Sequence, residues 1–136
     1  MANISLPERV RVHKDGFVNT FVSRTQRQRW RALLALDEKR WGDIDVHGFE
    51  GQNSKGLFYE TKHRANVGGL TLQPFLDADV IVLRLGHSKV TGAVLAPLRQ
   101  ALDEYDIIFE GVISVVAGKL AIVINHDDEA ILCESS

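Results

Sequence analysis

Apolar positions crowd the last third of the chain, where residues 107–125 run Ile-Ile-Phe-Glu-Gly-Val-Ile-Ser-Val-Val-Ala-Gly-Lys-Leu-Ala-Ile-Val-Ile-Asn. β-branched residues fill both arms of this stretch, and Ala117-Gly118-Lys119 divides them where glycine accepts the positive φ of a tight turn. The pattern predicts two antiparallel strands. Neither arm alternates cleanly between apolar and polar residues, so both faces are expected to be covered, inside a sheet and away from its edges.

Upstream, Arg9-Val-Arg-Val-His13 and Phe17-Val-Asn-Thr-Phe-Val22 flank Lys14-Asp15-Gly16, and the Asp-Gly pair suggests a short hairpin. The second run also fits an extended lead-in to a helix. Ser23-Arg-Thr-Gln26 has the spacing of a capping box. It predicts a helix over residues 23–41 with Trp30, Leu33, Leu34 and Trp41 on one stripe, stopped by Gly42. Asp37 falls within that stripe, which argues for a structural hydrogen bond there or for a helix that loosens before it. Glycines break residues 42–73, leaving strand character at 44–49 and 57–62 and irregular structure from His63 to Pro74. A strand is expected at Asp79–Leu85, a short helix within Leu95–Tyr105 starting near Pro97, and a last strand at 130–134. The sum is a single α+β domain over residues 1–136: a mainly antiparallel sheet of five or six strands with two helices packed on one face.

Composition narrows the class. With 45% hydrophobic and 25% charged residues the chain has the make-up of an ordinary globular protein. No apolar run approaches the ~20 residues of a membrane span, and the N-terminus has neither a basic start nor an apolar signal core. The single cysteine, Cys133, cannot form an internal disulfide, which suits a cytoplasmic setting. Charge is split along the chain. Residues 1–64 carry 12 Lys/Arg against 8 Asp/Glu, and residues 65–136 carry 4 against 10. Such a split marks one face for an anion and another for a basic partner, or two halves that neutralise each other on packing.

Two constellations offer binding chemistry. Arg24, Arg27 and Arg31, together with Arg29, gather on helix 23–41, where they suit a phosphate backbone, a protein interface or a plain solvated face. Ser88, Lys89 and Thr91 sit in the loop Gly86–Gly92 after a strand, where hydroxyls, an ammonium and free amides can hold an anion. The spacing is not that of a P-loop. His13, His47, His63, His87 and His126 have no metal-ligand spacing, no G-x-S-x-G occurs, and no cofactor motif is present.

One further set involves carboxylates: Asp43 or Asp45, followed by Glu60-Thr-Lys62, whose outer residues share a strand face. This set resembles the metal-binding core of the restriction-endonuclease-like nucleases. The resemblance implies that Asp45 and Glu60 hold Mg²⁺ while Lys62 positions or activates the attacking water. The alternative is a surface hairpin with an ordinary charge pair. The ending Gly111-Val-Ile-Ser and Gly118-Lys-Leu-Ala resembles that of small bacterial proteins, which implies no function. The leading expectation is a non-enzymatic cytoplasmic binding or regulatory module acting through protein–protein contacts, without cofactor or metal. Nucleic-acid binding through helix 23–41 is second, and a metal-dependent nuclease third.

Overall fold

The computed structural model describes residues 5–22, 24–44, 58–63, 69–86, 90–103, 110–124 and 129–135. The chain opens on helix α1, Leu6–Phe21. Ser5 caps it, its hydroxyl accepting from the Glu8 amide, and Pro7 occupies the first turn, where no amide bond is lost. Ser5-x-x-Glu8 is therefore a helix start, and the expected hairpin over 9–22 is replaced by helix. The reason lies in the apolar spacing. Val10, Phe17, Val18 and Phe21 recur at helical intervals and pack into one core, and that burial outweighs the local turn preference of Asp15-Gly16.

Helix α2 spans Arg24–Leu34, shorter than the 23–41 expected. A single 3₁₀ segment, Glu38–Asp43, follows, and its N-cap Asp37 accepts from the Lys39 amide at 3.0 Å. Asp37 is thus exposed and capping rather than buried in a helical stripe. The indole of Trp41 donates to the Leu36 carbonyl at 3.1 Å. Phe17 sits 6.1 Å from Phe21 and, edge-on, 6.1 Å from Trp30, locking α1 to α2 through aromatic contacts.

Six strands form one antiparallel sheet: β1 Phe58–His63, β2 Asp79–Leu85, β3 Gly92–Pro97, β4 Glu110–Val116, β5 Leu120–Ile124 and β6 Glu129–Glu134, in the order β1-β6-β5-β4-β2-β3. The β4–β5 hairpin turns at Gly118 with φ 71°, and the pair lies inside the sheet as expected. Two short helices, α3 at Gly69–Leu72 and α4 at Leu98–Asp103, complete the fold, with a 3₁₀ turn at Gln73–Phe75 where irregular chain was expected. The strand expected at 44–49 lies almost wholly outside the described residues.

Alternation along the strands separates two cores. Ile81, Leu83, Leu85, Val112, Ala121, Val123, Ile131 and Cys133 face α1, α2 and the 38–43 segment. Val80, Val82, Ile113, Ile122, Ile124, Ala130 and Leu132 face Leu72 of α3 and Leu98 and Ala101 of α4. The fold is α+β, with α1 and α2 on one face, whereas the two helices expected to share a face, 23–41 and that within 95–105, lie on opposite faces. The second helix foreseen, within 95–105, is instead divided: residues up to Pro97 extend β3 along β2, and α4 starts at Leu98 on the opposite face. Val94 and Ala96 pair with β2 and pack inward, which favours strand over helix there.

The outer side of β3 is guarded. The Ala93 amide donates to Glu38 Oε1 at 2.7 Å, so residues of this parity turn away from β2. Pro97 shares that parity and has no amide. Among the outward positions of β3 only the Leu95 amide is left to another strand.

Candidate binding face of the helical layer

Residues 6–34, which form α1 and α2, hold seven Lys or Arg against two Asp or Glu. The excess positive charge of the first half of the chain is therefore concentrated in α1 and α2, a layer laid over one face of the sheet. The ion pairs of Arg11 with Glu8 and, at 3.3 Å, with Asp15 stay within α1, and Arg99 meets Asp77 at 3.3 Å within the second half. Hydrogen bonding to Arg11 holds the Glu8 carboxyl below its ordinary range.

The three arginines singled out from the sequence have different tasks. Arg24 is exposed. Arg27 Nε donates at 2.9 Å to the carbonyl of Val22, the residue that caps the C-terminus of α1. Arg31 donates to the Asn19 side chain on α1. Lys14 of α1 reaches the other way: its ammonium donates at 3.2 Å to the carbonyl of Leu34, the last residue of α2, and lies 5.7 Å from the centre of the Trp41 ring. Each helix thus sends a cation to the carbonyl end of the other, where the helix dipole favours positive charge. Arg27 and Arg31 hold the layer together as well as charging it.

Between the helices runs a groove of about 190 Å³. α1 contributes Arg11, Lys14, Asp15 and Val18, and α2 with the turn after it contributes Arg31, Leu34 and Ala35. These sets follow the i, i+3, i+4, i+7 and i, i+3, i+4 spacings of facing helical stripes. The floor is aliphatic and the rim charged. Trp30, Trp41, Phe17 and Phe21 are all buried beneath the layer.

On its inner side α1 brings His13 to the sheet. Nδ1 of His13 is hydrogen-bonded to Oγ of Ser114 at 2.6 Å. Ser114 is 1% exposed and lies on β4 where the register with β5 shifts. A buried hydroxyl needs a partner, and the imidazole supplies it. Burial, and secondarily the charge of Arg9, push the His13 pKa below its ordinary value, so the ring is neutral at neutral pH.

Thr91 of the loop candidate donates its hydroxyl to the Glu38 carbonyl at 2.6 Å, beside the Glu38 carboxylate that holds the Ala93 amide. Ser88 and Lys89 lie outside the described residues. Of the nuclease set, Glu60 and Lys62 lie on β1 in register with Leu132 and Ala130 of β6, and Asp45 lies outside the described residues. Among the described residues there is no cluster of three His, Cys, Asp or Glu arranged to hold a metal, and no helix long and apolar enough to cross a membrane. Cys133 is buried, and burial pushes its thiol up to about 12, which leaves it unreactive.

His13, Lys14 and the groove were missed from sequence because residues 9–22 were expected to be extended. The Ser5-x-x-Glu8 start with Pro7 was the signal that could have placed them. Comparison of the chain with family models, curated proteins and solved structures finds no match.

Proposed function

We propose that the chain is a non-enzymatic binding or regulatory module that acts through protein–protein contacts, and that the outer face of α1 and α2 receives an acidic partner. The observation that carries this reading is the concentration of seven basic residues in one helical layer, with a groove between its two helices. Like charge gathered on one side steers an oppositely charged partner and orients it. A single buried cysteine agrees with action in the cytoplasm.

Nucleic-acid binding by the same face is the second reading, favoured by Arg24 and Arg29, which are exposed along α2. Burial of the layer's tryptophans and phenylalanines counts against base stacking. The nuclease reading, through Asp45, Glu60 and Lys62, is third.

The test uses the full chain as bait in nuclease-treated extract of the native host, beside an Arg24→Glu/Arg29→Glu variant that leaves the inter-helix bonds untouched. The expected outcome is a protein retained by the wild type in a salt-dependent manner and lost by the variant. Retention of the same protein by both would place the binding surface elsewhere. Loss of retention on nuclease treatment would favour nucleic acid. Mg²⁺-dependent cleavage abolished by Glu60→Gln would favour the nuclease.

A further inference from the structure

We infer that the α1–α2 groove is an anchor site for an acidic peptide segment, and that it takes one aliphatic side chain flanked by carboxylates. The inference rests on the proposed function and names the chemistry of its partner. The groove's volume, about 190 Å³, has room for one large aliphatic side chain and is below the roughly 300 Å³ at which cofactor pockets begin. Its floor is built from Val18 and Leu34, with Ala35 at the rim, and all three side chains can make van der Waals contact but no hydrogen bond. From Arg11 to Val18 the wall spans roughly 10 Å along α1, the length of about three extended residues.

Charge then selects what accompanies the anchor. Lys14 and Arg31 stand on opposite walls, and the groups that they meet, the Leu34 carbonyl, the Trp41 ring and the Asn19 side chain, are uncharged. Among the described residues their positive charges are met by dipoles and not by carboxylates, so carboxylates on either side of the anchor complete them. Arg11 is neutralised by Glu8 and Asp15, which places negative charge along the α1 wall. A phosphate backbone carries charge at every step and has no donor to offer Asp15 in the groove wall. A peptide places acids opposite Lys14 and Arg31 and can turn backbone amides toward Asp15.

The inference is tested by fluorescence anisotropy with a short labelled peptide in which one Leu is flanked by Glu on both sides, and with the same peptide carrying Ser for Leu. Burial of the Leu side chain predicts that the Leu peptide binds roughly tenfold tighter or more. Ala35→Trp, at an exposed position on the groove rim, fills the space and should abolish the preference while the melting temperature holds. Equal binding of both peptides, lost in high salt, overturns the anchor while the proposed function stands. Failure of both peptides to bind also overturns it, and the proposed function is then judged by the separate Arg24→Glu/Arg29→Glu experiment. Preference for the Leu peptide that survives Ala35→Trp overturns the groove as its location. Displacement of the Leu peptide by oligothymidylate at equal concentration overturns the choice of peptide over phosphate.

Discussion

Gly16, within helix α1, lies directly against Gly118, the positive-φ residue of the β4–β5 turn. A methyl group on Gly16 would stand 2.7 Å from the Gly118 nitrogen and 3.1 Å from the Ala117 carbonyl carbon. Both are backbone atoms that cannot rotate aside. Gly16→Ala removes a helix-interior glycine, a change that by propensity alone is favourable by about 1 kcal/mol. The overlap should reverse that sign, for a net loss of about 1–2 kcal/mol as α1 is levered off the turn. Urea unfolding decides between the two effects, and a stabilised Gly16→Ala would mean that helix and turn are not in contact.

The same pair explains what was legible in the sequence and what was not. A strand announces itself locally when both its faces are buried, as at Asp79–Leu85 and in the Gly118 hairpin, where almost every residue is apolar. α1 is buried on one stripe only, and Asp15-Gly16 imitates a turn. Its glycine serves a contact with residues about a hundred positions away, which no local pattern reports. β3 was misread for a related reason. Leu95, Leu98, Ala101 and Leu102 fit a helical stripe, whereas the pairing of residues 92–97 with β2 is decided by the sheet. The basic residues of the candidate face were visible from composition, but the groove they line exists only once α1 is a helix.

Burial on both faces of β4 and β5 makes charge there intolerable. Ile122→Asp and Val115→Asp should each cost more than about 3 kcal/mol, because both side chains lie among the buried hydrophobic residues of the α4-facing core. Melting temperatures near wild type for both would overturn the assignment of the sheet's interior.

The cations of the helical layer should separate by task. Arg27→Gln is expected to lower stability by about 1 kcal/mol, since it removes the donor to the Val22 carbonyl at the end of α1. Arg24→Gln should be neutral. Chemical denaturation of the two variants side by side checks this, and equal stability would show that the inter-helix bond contributes nothing.

The His13–Ser114 contact gives stability a pH dependence. The folded pKa of His13 lies below its unfolded value near 6.5, so the unfolded chain binds more protons between the two. The contribution is fully present above pH 6.5 and is lost as pH falls through the folded value. His13→Gln should flatten the slope of stability against pH in that window while leaving the response of other groups in place. An unchanged slope would mean that another group titrates there.

Removing Glu38 should expose the margin of β3. Glu38→Ala frees the Ala93 amide and is expected to cost about 1–2 kcal/mol. It should also raise the light scattering of concentrated solutions, whereas Glu38→Gln, whose amide oxygen can still accept, should do so less. Identical scattering by wild type and Glu38→Ala would assign the carboxylate a packing role only.

The guarded margin has a consequence for how copies of this chain can accumulate. Templated growth adds a strand by repeating the donor–acceptor rhythm of the last one, and at β3 that rhythm is interrupted by a carboxylate at Ala93 and by a proline at position 97. An incoming segment would find one free amide donor, from Leu95, beside the outward carbonyls, while ordering each of its residues costs about 1–2 kcal/mol of backbone entropy. The first step of such a polymer is therefore disfavoured at this end of the sheet, which lets Leu95 stay 39% exposed on the surface.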